Sequence, residues 1–172
     1  MLHCRCDAAE EIPWFNNAIS TARQYCEGYT HRQFLSATWT LYLDEFPSDA
    51  IYLGVNPVSS ITSIVYNDSG GASTTLSAGD YRTDIISEPA RIVPAWGESW
   101  PVTRGQINDI CVTFVAGYGS AATSVPPQAK QAMLLLISHW REHPEAVANN
   151  SVNVVPFAVD ALLDSICWSK VH

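Results

Sequence analysis

Several groups of residues in this chain have the types and spacing that chemistry can use. Ser69, within Asp68-Ser69-Gly70-Gly71, precedes two glycines whose amides can form an oxyanion hole for acyl transfer. His139 and His143 stand one helical turn apart and share a face, as two metal ligands would. His3, Cys4 and Cys6 offer metal-ligating atoms near the N-terminus. Gly117 and Gly119 follow the apolar run Phe114-Val115-Ala116, where a glycine-rich turn can cradle phosphate.

Each group lacks the part that would complete it. The glycine turn has no Lys and no second glycine at P-loop spacing, and no G-x-G-x-x-G, so a sharp corner accounts for it better. A zinc protease needs Glu directly after the first His as general base; Trp140 occupies that place and Glu142 lies on the wrong face. The N-terminal His and Cys have no second Cys/His pair nearby, so a flexible end is the preferred account. Asp68-Ser69-Gly70-Gly71 resembles the nucleophile segment of trypsin-like serine proteases. No His sits in a matching upstream segment, and the chain is too short for the paired barrels of that family. A small hydrolase using Ser69 is kept only as an alternative to a non-enzymatic reading, and no cofactor or metal is expected.

Composition narrows the class further. The 172 residues fit one domain, or a compact domain with one sizeable insertion. Hydrophobic residues make up 47% and charged residues only 15%, a low charged fraction for a monomer whose whole surface faces water. Six Trp and seven Tyr point to apolar surface that meets partners. With 9 Lys+Arg against 17 Asp+Glu, the net charge of -8 argues against ordinary nucleic-acid binding but suits a surface that DNA passes without sticking. The five Cys are irregularly spaced and no secretory signal is visible, which leads us to expect reduced thiols and cytosolic synthesis. No apolar run approaches the ~20 residues of a membrane span.

The elements that must position these residues follow from periodicity. From Asp7 to about Gln33, the positions Ile12, Phe15, Ile19, Ala22, Cys26 and Tyr29 keep the rhythm of an amphipathic helix, with Asp7 as cap and Pro13 starting or breaking it. Residues 36–46, 51–55, 59–68, 72–86 and 108–118 read as strands, with 67–71 as a hairpin turn. Three prolines and two tryptophans between Pro89 and Pro101 suggest an irregular exposed loop. Helical pattern returns at Pro126 and stops at Pro144, with Ala129, Met133, Leu136, Ile137 and Trp140 as its stripe; a last helix spans about Phe157 to Lys170. The expected fold is α+β: a helical body from residues 7–35 and 126–171, and a β-rich insertion, 36–118, in one domain.

Taken together, several stretches resemble the head-to-tail connector, or neck adaptor, proteins of tailed bacteriophages. They are ISTARQYCEGYTHRQFLSATWTLYLDEFP, NPVSSITSIVYNDSGG, GDYRTDIISEPARIVPAWGESWP and VTFVAGYGSAATSVPPQAKQAMLLLISHWREHPEAV. They span most of the chain, and the run from Val112 to Val147 is the most specific. The resemblance implies a non-enzymatic homo-oligomeric ring, typically a dodecamer, that binds below the portal protein and extends the DNA channel. Its other partners would be a downstream neck or tail-terminator protein and double-stranded DNA that slides through the lumen without specific binding; no membrane is involved. It would be located in the virion neck, and in the host cytoplasm during assembly. A tail-completion or tail-terminator ring is the related alternative.

Family members usually begin with a further short helix ahead of the segment matching His3 to Asp7. Residues 152–172 are expected to form one axial docking element. Aromatic anchors commonly dominate binding energy, so Trp96, Trp100, Trp140 and Trp168 are the candidate interface residues, each with a core role as the alternative.

Overall fold

A computed structural model of the chain describes residues 11–142 and 157–168. The fold is α+β and falls into two compact units: one drawn from both ends of the chain, Met1–Phe34 with Thr123–His172, the other from its middle, Leu35–Ala122.

In the first unit, α1 (Ile12–Thr30), α2 (Pro127–Glu142) and α3 (Phe157–Asp164) pack together. Pro13 sits in the first turn of α1, where its missing N–H is no loss. His31, at a φ of +54°, adopts the left-handed conformation that ends the helix, short of the expected Gln33. The face turned inward is Phe15, Ala18, Ala22, Cys26 and Thr30, so part of the expected stripe is wrong: Ile12 and Ile19 remain 43% and 44% exposed. Small residues decide this. Ala18 and Ala22 on α1, like Ala129 and Ala132 on α2, are among the buried residues, and their small side chains let helix backbones approach closely. The proposed Asp7 cap lies outside the described residues, as does Pro144.

In the second unit, β1 (Ala37–Leu43), β2 (Ile51–Tyr52), β3 (Val58–Asn67), β4 (Ser73–Thr75), β5 (Tyr81–Asp84), β6 (Arg91–Pro94) and β7 (Ile110–Ala116) form two antiparallel sheets. Their orders are β1-β7-β3-β4 and β2-β6-β5. β7 alternates strictly, with Ile110, Val112, Phe114 and Ala116 inward, and Leu41 and Leu43 of β1 lie directly opposite Val112 and Ile110 on the same face. Ile51, Leu53, Ile64 and Ile92 complete a core shared by the strands of both sheets.

Two strand expectations need correction. Residues 72–86 are not one strand but β4 and β5, in different sheets, separated by a turn in which the Asp80 amide donates to the Ser77 carbonyl. The segment 89–101 is not wholly loop, because Arg91–Pro94 is the middle strand of the smaller sheet. Its prolines punctuate that strand at either end and leave Ile92 free to bury completely between β2 and β5. The hairpin turn at 67–71 joins β3 to β4, as its Asn, Asp and Gly content led us to expect.

Candidate assembly surface

Ser69 sits exposed in the β3–β4 turn, and the groups that would serve it are already engaged. The Gly70 amide donates to Asp68 Oδ1 at 2.9 Å and the Gly71 amide to the Asp68 carbonyl at 2.8 Å. Asp68 Oδ1 also accepts from the Ala72 amide at 2.9 Å. Glycine amides spent on a turn offer no pair of donors to an oxyanion.

Gly117 and Gly119 form a corner. The Gly117 amide donates to the Pro57 carbonyl and the Ser36 amide to the Gly119 carbonyl, bonds that tie the turn to the chain ahead of β3 and of β1. His3, Cys4, Cys6 and His143 lie outside the described residues, and no cluster of three metal-ligating side chains occurs among those described. No helix among them is long and apolar enough to cross a membrane.

In the helical unit, Trp140 forms one side of a cleft of about 230 Å³ whose other lining residues are Glu11, Trp14 and Arg141. Arg141 Nη2 reaches both Glu11 oxygens, at 3.0 and 3.2 Å, and its guanidinium lies 5.4 Å from the Phe15 ring centre. The cation is thus held in place between a carboxylate and an aromatic face. Trp14, which meets Phe15 edge-on at 5.0 Å, was not singled out from sequence. Its position one residue before the buried Phe15 carries the signal, because a 100° step along a helix turns it toward the rim.

Trp168 belongs to a segment that closes the end of α1. The Trp168 amide donates to the Thr30 carbonyl at 3.1 Å, Cys167 Sγ to the Tyr29 carbonyl at 3.5 Å, and Arg32 Nε to the Ile166 carbonyl at 2.6 Å. Carbonyls at a helix C-terminus have no partner within the helix, and here a distant piece of chain supplies one. The Tyr29 hydroxyl donates to Asp164 Oδ1 at 2.7 Å. That bond, with burial and the Asp164 charge, pushes the phenol up to about 12. Burial, with Glu27 adding to it, pushes the Cys26 thiol up to about 11, which makes this cysteine an unreactive packing residue.

The two tryptophans of the β unit differ. Trp96 follows β6 in a turn and is 89% exposed. Trp100 is half-buried, stacks on Phe46 at 4.8 Å and 8°, and packs against the unit's core. Beside it the loop leading to β7 is held by Asp109: Oδ2 accepts from the Gly105 and Gln106 amides and Oδ1 from Asn67 Nδ2. Burial pushes this carboxyl upward, but the bonds from Gln106, Asn67 and Gly105 outweigh it and hold the group below the usual range. The same loop region leaves Val102 and Ile107 open to solvent. Ile107 thus stands exposed within a loop whose backbone Asp109 ties down.

The fold is one found in phage-like particles. A chain from the virion of a native gene transfer agent particle is 24% identical, with a TM-score of 0.78 over 99% of this chain and 87% of its own. A chain from the neck of the empty particle, computed with C6 symmetry, gives 24%, 0.77 and the same coverages. One from the neck of the native particle, computed with C12 symmetry, is 25% identical over 91% of this chain and 82% of its own, with a TM-score of 0.71. No protein-family model and no curated protein matches the sequence.

Proposed function

We propose that this chain is a structural head-to-tail connector of a tailed phage or phage-like particle, working by assembly rather than catalysis. The observation that carries the reading is the match of 99% of the chain, both units included, to a chain of a gene transfer agent virion at a TM-score of 0.78. The C12 and C6 symmetries of the related necks support a homo-oligomeric ring, and a dodecamer is the expected form. A subunit in a ring hides two different side surfaces against its neighbours, which accounts for the low charged fraction of 15%.

In this reading the chain acts as a single connector domain, its helices α1, α2 and α3 standing in sequence on either side of a β-rich insertion at 36–118. The ring sits below the portal protein, extends the DNA channel, helps retain the packaged genome and presents a docking surface to the next neck or tail-terminator protein. Trp96, Trp140 and Trp168 serve as contact residues, while Trp100 anchors the β unit from within. The net charge of -8 lets DNA pass without adhering. The subunit is made in the host cytoplasm and ends in the virion neck.

Deleting the gene and viewing the lysate by electron microscopy tests this. DNA-filled or leaking heads beside separate, complete tails are the expected result. A tail-terminator would instead leave defective tails and copurify with them, and normal infectious particles would remove both readings.

A further inference from the structure

We propose that β1 is an assembly edge, its outward backbone groups pairing with β4 of a second copy so that one four-stranded sheet continues into the next. The inference rests on the ring reading above and names the joint. The larger sheet has two edges without a strand partner among the described residues, β1 and β4. Free N–H and C=O groups along an edge are a template for another strand, and proteins guard them with proline, lysine, bulges or brevity. β1 has none of these guards. Ala37–Leu43, ATWTLYL, is seven residues long, carries no charge and no proline, and pairs with β7 residue for residue. The bulges of this sheet lie in β3, an interior strand. Thr38, Thr40 and Tyr42 are exposed on one face, and all three are strand formers.

The choice of β4 as the mate follows from charge and direction. Ser73-Thr74-Thr75 is also uncharged, so a neutral edge meets a neutral edge. β5, an edge of the other sheet, carries Arg82 and Asp84, with Asp84 tied to Arg91 at 3.1 Å, and is guarded by charge. Across β1-β7-β3-β4 every neighbour is antiparallel, so β1 and β4 run in opposite directions. A second copy in the same orientation therefore lays its β1 antiparallel to β4, the more stable pairing. Pairing β1 with β1 would be self-complementary and stop at a two-fold dimer, whereas β1 on β4 is head-to-tail and closes by rotation. With only three residues in β4, one joint is weak, and closure that holds each subunit at both edges makes the assembly firm.

The test uses the full-length chain and two variants, Thr38→Lys with Thr40→Lys, and Ser73→Lys with Thr75→Lys, all at exposed positions. Mass photometry across concentration reads assembly, and circular dichroism with thermal melting checks the fold. Losing a short ladder of hydrogen bonds should weaken assembly of either variant about 100-fold or more. An equimolar mixture at high concentration should give one-to-one dimers and nothing larger by sedimentation, because a single weak joint survives between unlike chains. Rings from the β1 variant at native concentration overturn the edge inference and leave the ring reading standing. Assembly lost in the β1 variant but kept in the β4 variant overturns the β1–β4 joint. A native chain that forms no ring at any concentration overturns both readings. Hydrogen exchange on the native protein gives a readout that needs no variant: amides in 37–43 should gain protection on assembly, and unchanged exchange there overturns the proposal.

Discussion

A methyl group added at Gly117 would lie 2.6 Å from the Ser36 amide nitrogen and 2.7 Å from the Leu35 carbonyl, at a φ of +130° that other residues avoid. Backbone on both sides prevents relief, so Gly117→Ala should destabilise the β unit by about 2–5 kcal/mol, read from urea unfolding. Trp96 and Trp100 should separate in the same way. Trp100→Ala removes a ring stacked on Phe46 and should cost about 3 kcal/mol of stability, whereas Trp96→Ala should leave melting unchanged and weaken assembly. Tyr29 makes a prediction in pH. Its phenol is raised from 10.0 to about 12 in the folded chain by the bond to Asp164. The protonated phenol is favoured by folding, so the bond's contribution is complete below pH 10 and is lost as pH rises from 10 toward 12. Absorbance titration should show a late-ionising tyrosine, absent in Tyr29→Phe.

At the scale of elements, the end of α1 depends on residues more than a hundred positions away. Removing residues 165–172 leaves the Tyr29 and Thr30 carbonyls without their partners and should cost about 2–3 kcal/mol, with faster amide exchange in the last turn of α1. No local pattern announces this cap, because its donors, the Trp168 amide and the Cys167 thiol, come from a distant segment. Periodicity did reveal the three helices, β1, β3, β7 and the 67–71 hairpin, since each carries its apolar spacing or turn residues within its own length. It misplaced Ile12 and Ile19, because two adjacent rows of α1 are apolar and only packing chooses the row with the smaller residues. It missed β6, a four-residue strand hidden among prolines and defined by partners on both sides. Of the candidate surface, the tryptophans were legible as types but not as environments. Trp96 and Trp100 are four residues apart and differ in what surrounds them, which sequence does not carry.

For the whole molecule, a charge of -8 per chain means that neighbours repel as they join. Raising ionic strength from 0.01 to 0.15 M shortens the screening length from about 30 to about 8 Å, so assembly should strengthen with salt over that range in a sedimentation series. Binding to double-stranded DNA should stay undetectable throughout. The Ser36 amide and the Gly119 carbonyl, near the entry and exit of the β unit, are bonded to each other at 2.9 Å. A segment whose ends meet can be gained, lost or exchanged in a lineage by a single splice, because the chain on either side need not move to close the gap. Excising the residues between Ser36 and Gly119 should therefore need no long linker to rejoin the chain.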